Sequence, residues 1–364
     1  MSIEILTVEL GSRSYPIRIG RDGIAQLGQA LRERTSSSRV LVVSDNRVGG
    51  LYGEAALAAL SEAGFLAETL ILPEGEAFKT LDTCMSVYGF LLSNNYGRDS
   101  VIVALGGGVV GDLAGFVAAT YMRGVAYVQA PTSLLAMVDS SVGGKTGVNH
   151  PLGKNMIGAF HQPILVVIDP VCLTTLDAAE FRAGFAEVVK YGVIHDAEFF
   201  AFCEKNREAI FGLDVAVLKH VIKTSCAIKA AVVSADEREA GLRAILNFGH
   251  TVGHAIESLT NYTHFKHGEA LAIGMVAAGR LAVGMGRFDA AEQERIERLL
   301  EQSGLPVRIP ARLETEDLIE RMRKDKKVHH GQIRFVLPEA IGRVTIESGY
   351  SSALLRDVLD KMRS

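Results

Sequence analysis

The sequence predicts an α/β N-terminal domain, Rossmann-like with a parallel sheet, followed by a mainly α-helical C-terminal domain. Short apolar runs alternate with helical patterns in the first half, a glycine-rich turn joins one such run to a helix, and helical patterns predominate after Leu176. Parallel strands need crossover connections, which helices usually supply. Because 364 residues are many for one core, we expect two domains, 1–176 and 177–364.

The predicted strands begin with a pair in residues 1–20, where apolar and polar residues alternate on both sides of Gly11. Helical spacing of apolar residues predicts helices over Leu51–Gly64 and Leu81–Leu92. Five apolar runs predict the parallel sheet: Val40–Ser44, Thr69–Leu72, Val101–Leu105, Ala126–Gln129 and Ile164–Ile168.

The second domain opens with a helix-start signal, because Asp177 can cap a helix and Glu180 stands three residues on. Helical patterns then continue to about Met322. Two later runs, Ile333–Leu337 and Val344–Ser348, indicate a short strand pair.

Composition describes an ordinary soluble protein, with 48% hydrophobic and 22% charged residues. A net charge of -4 gives no indication of the excess positive charge that nucleic-acid-binding proteins usually carry. Apolar stretches such as Ala270–Gly279 are shorter than the roughly 20 residues of a membrane span. No export signal is evident, so we expect a cytoplasmic protein without membrane partners. The cysteines form no CxxC pair, which argues against a disulfide framework and a thiolate zinc site.

The glycine-rich turn Gly106–Asp112 directly follows a predicted strand and precedes a helical segment, Leu113–Tyr121. Glycines let the backbone approach a ligand closely, and free N–H groups at a helix start can hold the charge of a diphosphate. The same turn could simply pack helix against strand. Ser44–Asn46 and Pro73–Lys79 fall at the carboxyl edge of the predicted sheet, where such sheets bind ligands, although solvated loops or caps are the alternative.

The connection Pro131–Gln162 is dense in polar residues and glycine. Its two lysines, Lys145 and Lys154, favour an anion such as a sugar phosphate, with a plain surface loop as the alternative. The segment Ser140–Thr146 lacks the first glycine of a P-loop, which disfavours ATP binding.

The second half offers five candidate ligands for a divalent metal, and composition does not choose among them: Glu187, His250, His254, His264 and His267. His250 and His254 share a helix face, but Thr251 stands where a metalloprotease has its glutamate, which argues against peptide hydrolysis. Lys190 shares the helix face of Glu187 and could neutralise a ligand or bind substrate.

Six ordered motifs between about Ser44 and Gly342 together resemble the 3-dehydroquinate synthases: Gly106–Asp112, Val138–Thr146, Gly153–Phe160, Ala186–Gly192, Asn247–Glu257 and His267–Ala270. The resemblance implies a carbon–oxygen lyase, usually a homodimer, that uses NAD and one divalent metal, zinc or cobalt. Its implied substrate is 3-deoxy-arabino-heptulosonate 7-phosphate, which would lose phosphate to give 3-dehydroquinate, a step toward aromatic amino acids.

The resemblance also implies roles for single residues. Glu187, His250 and His267 would bind the metal, which leaves His254 for substrate binding or proton transfer. The implied contacts to NAD are Asp45, Glu74, Gly75, Glu76, Lys79, Gly107, Gly108, Val109, Val110, Gly111, Asp112, Thr132, Ser133, Lys145, Lys154, Cys172, Leu173, Thr174 and Thr175. The other implied catalytic residues are Asp139, Lys145, Asn155, Lys190, Lys229, Arg243, Asn247, one of Lys326 or Lys327, and Arg123, which would reach the partner subunit's phosphate pocket.

Three other functions compete with this interpretation. An NAD- and metal-dependent polyol dehydrogenase shares the two-domain architecture, but its substrate has no phosphate to neutralise, so the many lysines and arginines argue against it. A sibling sugar phosphate cyclase is disfavoured within the resemblance by Asn155, Asn247 and His254 together. A nucleotide-sensing module would bind NAD without releasing phosphate.

Overall fold

The chain forms two compact units, Met1–Leu176 with Val215–Arg238 and Asp177–Asp214 with Glu239–Ser364. The structure is a computed structural model that describes residues 3–239, 241–324, 328–329 and 332–364. The predicted second domain is 177–364, and within that range Val215–Arg238 groups with the first unit.

The strands, in chain order, are β1 Glu4–Val8, β2 Tyr15–Ile19, β3 Arg39–Asp45, β4 Leu66–Leu72, β5 Val101–Gly106, β6 Ala126–Pro131, β7 Lys145–His150, β8 Gly153–Phe160, β9 Leu165–Ile168, β10 Val328–His329, β11 Gln332–Ile333, β12 Phe335–Ala340 and β13 Arg343–Glu347. The helices are α1 Leu27–Arg32, α2 Asn46–Val48, α3 Glu54–Glu62, α4 Leu81–Ser93, α5 Gly108–Thr120, α6 Ala178–His195, α7 Ala197–Lys205, α8 Arg207–Phe211, α9 Val215–Ala235, α10 His250–Leu259, α11 His267–Gly284, α12 Ala290–Gln302, α13 Thr315–Arg323 and α14 Ser352–Met362.

A seven-stranded sheet in the order β1-β2-β9-β6-β5-β3-β4 organises the first unit. The six strands β2, β9, β6, β5, β3 and β4 are all parallel to one another in the sheet. Strand β1 pairs antiparallel with β2 at one edge. The predicted parallel sheet is therefore confirmed. Because β3, β4, β5 and β6 are parallel, the loops that follow them leave the sheet at one edge.

Helices α4 and α5 cover one face of this sheet. Leu41 and Val43 of β3, with Ile102 and Ala104 of β5, point to that face because they occupy alternate positions of their strands. They pack against buried side chains of α4 and α5. This apolar layer fixes the glycine-rich turn between β5 and α5.

Strands β7 and β8 form an antiparallel hairpin inside the stretch that the sequence analysis treated as a connection. Its strands approach closely at glycines, since a Cβ atom on Gly158 would lie 2.3 Å from the carbonyl oxygen of Thr146. Glycine within a strand often marks such an approach, and it weakens the sequence signal for a strand.

Helix α9 buries an apolar face that includes Leu218, Val221 and Ile222, and it adds polar contacts within the first unit that its local sequence does not reveal. Lys219 and Lys223 pair with Glu4 of β1, at 2.9 and 2.6 Å. Further along the helix, Lys229 Nζ lies 2.8 Å from the Asp139 carboxylate. These partners lie far away in the chain, so no local pattern records them.

In the second unit, α6, α10 and α11 pack closely together at glycines. A Cβ on Gly268 of α11 would lie 1.9 Å from the carbonyl oxygen of Ala183 on α6, and one on Gly274 would lie 1.9 Å from that of Gly249. The hairpin β12–β13 confirms the predicted C-terminal strand pair. In the described part of the chain, none of the helices has the length and apolar character needed to span a membrane.

Candidate metal centre and nucleotide site

Three candidate ligands converge in the second unit. Glu187 comes from α6, His250 from the start of α10 and His267 from the start of α11, and their donor atoms all lie within 4.8 Å of one another. Glu187 Oε1 is 3.4 Å from His267 Nε2 and 3.8 Å from His250 Nε2. Two tetrahedral zinc ligands at about 2.0–2.1 Å from the ion lie roughly 3.4 Å apart, so this triangle has the size of a metal cage.

The distal nitrogens of both rings already face oxygen acceptors. His250 Nδ1 is 3.1 Å from the carbonyl oxygen of Phe248, and His267 Nδ1 is 3.4 Å from Glu257 Oε1. A neutral imidazole that donates from one nitrogen presents a lone pair on the other, which is the form that binds a metal. The donor set of one carboxylate and two oriented imidazoles therefore fits a divalent ion.

His267 lies between two carboxylates in this cage. Burial lowers the pKa of its ring, but Glu187 and Glu257 outweigh that effect and raise the pKa to about 10. In the metal-free protein, a proton on this ring would offset the negative charge of Glu187 and Glu257. A bound metal ion would offset the same charge.

Glycines set the positions of these ligands. Gly249, with φ +79°, ends the preceding turn in a left-handed conformation and directs the chain into α10. A Cβ there would also lie 2.6 Å from Met275 Cγ on α11. The contact of Gly268 with Ala183 holds the start of α11 against α6, so the three ligand-bearing helices meet at small residues.

The remaining predicted residues of the second unit lie at different distances from the cage. The His254 ring centre is 5.3 Å from that of His250, and Lys190 Nζ is 2.5 Å from Glu187 Oε2. Arg243 is buried, and Asn247 Nδ2 donates to Glu239 Oε1 at 3.3 Å. His264 is exposed and stays outside the clusters of candidate ligands among the described residues.

Sequence reasoning missed two carboxylates here. Glu257 is buried and forms a second potential cluster with His254 and His267. Its position, seven residues after His250 and three after His254 on one helix, could have identified it. Glu239 accepts a hydrogen bond from Asn247, and its own backbone is in the left-handed region with φ +60°. No sequence pattern predicted this contact. Lys326 and Lys327 lie outside the described residues.

In the first unit, the glycine-rich turn lies at the carboxyl edge of the sheet. Helix α5 begins at Gly108, directly after β5 ends. A Cβ on Gly108 would lie 3.1 Å from Ser140 Oγ, and one on Gly107 would lie 3.5 Å from Ser133 Oγ. The helix start, with its unpaired backbone N–H groups, thus lies beside two hydroxyls, an arrangement suited to an anion. Packing also requires glycine at position 111, because an added Cβ there would lie 2.7 Å from Gln129 Oε1.

A buried lysine at this edge, itself one of the predicted residues, links two others. Lys79 Nζ donates to Asp112 Oδ2 at 2.5 Å and to Asn155 Oδ1 at 2.6 Å. Burial raises the pKa of Asp112, and the Lys79 ammonium opposes that shift. Asn149 adds to the cluster, because its backbone N–H donates to the Lys79 carbonyl and its amide donates to Glu76 Oε1 at 2.8 Å.

Other predicted residues of the first unit lie in several settings. Asp45 caps α2, because its carboxylate accepts a hydrogen bond from Val48 N at 2.8 Å. A helix cap was the alternative to ligand binding for this residue. Thr175 Oγ1 is 2.6 Å from Tyr52 Oη. The exposed residues are Glu74, Gly75, Arg123, Lys145 and Thr174. The partly buried residues are Val109 and Lys154, and the buried ones are Val110, Thr132, Cys172 and Leu173.

The geometry defines an α/β protein with a candidate anion site at its sheet edge and a candidate metal centre in its helical unit. Two family models match the chain, the 3-dehydroquinate synthase N-terminal model over residues 69–183 and the C-terminal model over residues 184–328. A 3-dehydroquinate synthase of Microcystis aeruginosa is 51% identical over 361 residues, which cover 99% of this chain and 98% of that protein. The chain belongs to the 3-dehydroquinate synthase family, which confirms the resemblance found in the sequence.

Solved structures share the fold over the whole chain. A 2-epi-5-epi-valiolone synthase from Streptomyces hygroscopicus subsp. jinggangensis, with NAD+ and Zn2+ bound, superposes with a TM-score of 0.88 at 27% identity, covering 100% of this chain and 99% of that one. A 2-deoxy-scyllo-inosose synthase, complexed with carbaglucose-6-phosphate, NAD+ and Co2+, gives 0.89 at 24% identity, covering 99% and 100%. The predicted fold class is confirmed.

Proposed function

We propose that this chain converts 3-deoxy-arabino-heptulosonate 7-phosphate to 3-dehydroquinate and phosphate, as a carbon–oxygen lyase on the route to aromatic amino acids. The observation that carries the proposal is the cage of Glu187, His250 and His267 in a member of the 3-dehydroquinate synthase family. Its cofactors are NAD and one divalent ion, zinc or cobalt, as in the two similar structures.

The protein residues that hold these cofactors lie in separate units. Glu187, His250 and His267 hold the metal, and the start of α5 with Ser133 holds the diphosphate of NAD. The cluster of Lys79, Asp112 and Asn155 fixes the loops around that helix start. The remaining NAD contacts are those implied by the family motifs: Asp45, Glu74, Gly75, Glu76, Lys79, Gly107, Gly108, Val109, Val110, Gly111, Asp112, Thr132, Lys145, Lys154, Cys172, Leu173, Thr174 and Thr175. NAD bound there would supply reversible hydride transfer, and a metal held by the three ligands would supply a Lewis acid for substrate hydroxyls.

Cationic side chains bind the two anionic groups of the substrate. Lys190 and Arg243 are both buried in the second unit, where a charge acts more strongly than it does in water. Guanidinium and ammonium groups are the usual partners of phosphate and carboxylate. Lys145 and Lys229 of the first unit, with Lys327, complete the proposed set of cations, and Arg123 serves the partner subunit.

Polar groups orient the substrate and move its protons. Asp139 is fixed by Lys229, whose ammonium donates to both its carbonyl and its carboxylate oxygen at 2.8 Å. His254 stands beside the cage, where its ring can accept or return a proton at a substrate hydroxyl. Asn155 and Asn247 bind hydroxyls, and the phosphate of the substrate itself shares in the proton transfers.

A cytoplasmic homodimer completes the proposal. Helix α4 carries an apolar stripe, defined as Leu81, Met85, Tyr88 and Leu92, at the spacing i, i+4, i+7, i+11. Met85 is 64% and Leu92 61% exposed, so the stripe offers a contact surface for a second copy. The cysteines are buried free thiols, as is usual in a reducing compartment.

The test is release of inorganic phosphate from the heptulosonate phosphate with catalytic NAD, before and after chelation, while absorbance is followed for NADH. We expect release that stops on chelation, recovers with zinc or cobalt, and leaves no net NADH. If phosphate stays bound to the sugar and NADH accumulates from a polyol, the protein is a polyol dehydrogenase instead.

A further inference from the structure

A buried carboxylate outside the proposed ligand set lies next to the metal cage. Glu257 is only 3% exposed and belongs to α10, the helix that also carries His250 and His254. Its Oε1 lies 3.4 Å from Nδ1 of His267, on α11. A buried carboxylate is unfavourable without a partner, so its position against this ring needs an explanation.

His267 is held at both ends of its ring. Its Nε2 faces Glu187 Oε1 at 3.4 Å, while its Nδ1 faces Glu257. In the neutral imidazole that binds a metal, an Nδ1–H donated to a carboxylate leaves the lone pair on Nε2. That nitrogen is the one directed at the cage.

The second ligand shows the same arrangement with a different acceptor. His250 Nδ1 contacts the backbone oxygen of Phe248, and its Nε2 faces Glu187. A carbonyl oxygen can only accept, so this contact fixes the same tautomer for His250. Both histidines therefore have their distal nitrogen engaged and their Nε2 directed at Glu187.

We infer that Glu257 is a positioning residue for the metal centre, which accepts the Nδ1–H of His267 and so holds that ring with Nε2 toward the ion. The inference rests on the proposed function, because it requires the metal to bind among Glu187, His250 and His267. Glu257 is not a ligand in this assignment, although it also forms a cluster with His254 and His267 that could hold an ion.

The test compares metal affinity in the full-length wild type, Glu257→Gln and Glu257→Ala, measured by competition with a chromophoric chelator for Zn2+. Glutamine keeps an acceptor oxygen but loses the charge, whereas alanine removes both. Loss of an outer-sphere partner of a metal-bound histidine typically weakens metal binding about 10–100-fold. We expect a graded loss, largest for alanine, with the visible spectrum of the Co2+ protein still that of the wild-type ligand set in the glutamine variant.

A matched control is Thr260→Val, at the C-cap of the same helix. Thr260 is buried, and its hydroxyl donates to the Ile256 carbonyl at 2.8 Å, away from the ligands. This variant measures how loss of a polar group at the end of α10 changes Zn2+ affinity when His267 is left unaltered. We expect its Zn2+ affinity to equal that of the wild type, and thermal melts must show each protein folded at the assay temperature.

Three results would overturn the inference. One is unchanged Zn2+ affinity in both Glu257 variants, and another is an equal loss in Thr260→Val. The third is a Co2+ spectrum that loses a carboxylate ligand in Glu257→Gln but is unaffected in Glu187→Gln, because Glu257 would then be a ligand. Failure of the proposed function is a separate result, since it would show as a wild-type protein that binds no Zn2+ or releases no phosphate.

Discussion

The ammonium nitrogen of Lys190 lies 2.5 Å from Oε2 of Glu187, and both side chains are almost completely buried. The pair forms on one helix face because the residues are three positions apart on α6. The lysine thus holds one carboxylate oxygen and leaves Oε1 facing His250 and His267. The orientation of the proposed metal ligand is set before any ion binds.

Replacing Lys190 with methionine should therefore destabilise the metal-free protein more than the metal-bound one. Removing one partner of a buried ion pair typically costs about 3–5 kcal/mol, because the remaining charge is left uncompensated. An added divalent ion supplies the missing positive charge, so Zn2+ should raise the melting temperature more in Lys190→Met than in the wild type. Thermal unfolding with and without Zn2+ measures this difference.

The control for this variant is Lys324→Met. Lys324 pairs with Glu320, but both side chains are 64% exposed, and exposed pairs contribute little. Its melting temperature should stay near that of the wild type. A Lys190→Met protein that Zn2+ stabilises no more than the wild type would show that the lysine does not compensate Glu187.

The close contact of α11 with α6 gives a second prediction, for Gly268→Ala. The added methyl would lie 1.9 Å from the carbonyl oxygen of Ala183, so the helices must separate at the residue next to His267. Overpacking of this kind usually costs about 1–3 kcal/mol. Urea unfolding should show this loss, and Zn2+ affinity should fall with it.

Gly89→Ala provides the comparison, because a Cβ at this exposed helical position meets no atom within 4 Å. Alanine favours a helix over glycine by up to about 1 kcal/mol, so this variant should be as stable as the wild type or more so. Equal stabilities of the two alanine variants would contradict the proposed role of the contact at Gly268.

Local patterns in the sequence were sufficient to predict the sheet of the first unit. Strands such as β5, with every residue buried, are continuous apolar runs, and the glycine turn follows one of them. Contacts between distant residues could not be predicted in the same way. The contact of α9 with β1 includes ion pairs to Glu4, more than 200 positions away in the chain, so no local pattern records it.

Spacing alone predicted the candidate metal cage only in part, for a similar reason. The spacing of His250 and His254 predicts a shared helix face, yet the cage combines His250 with Glu187 and His267 from other helices. Spacing within one helix cannot show which ring meets a carboxylate on another. Family motifs supplied that choice, and the structure added Glu257, whose partner lies on a different helix.

The start of α5 gives a third prediction, in which nucleotide binding and stability change in opposite directions. Val109 is the second residue of this helix and is partly exposed. An aspartate there should stabilise the helix by about 0.3–1 kcal/mol through its dipole, but it should repel a bound diphosphate. We expect Val109→Asp to bind NAD at least about tenfold more weakly, equivalent to about 1.4 kcal/mol, by isothermal titration calorimetry.

Val109→Asn separates charge from shape at this position, since it is nearly isosteric with aspartate and neutral. Its NAD affinity should stay within a few-fold of that of the wild type. Equal NAD affinities of the aspartate and asparagine variants would mean that the diphosphate does not bind at this helix start.

The α4 stripe gives the last prediction, because an exposed apolar row is the proposed contact between two copies of the chain. Leu92→Asp places a carboxylate in that row, and burying an unpaired charge in an apolar contact is strongly unfavourable. We expect the wild type to be a dimer and Leu92→Asp a folded monomer by light scattering. Leu242→Asp alters a residue that is also 52% exposed but lies in the other unit, and it should remain a dimer. If Leu92→Asp stays dimeric, or both variants dissociate, α4 does not supply a specific dimer contact.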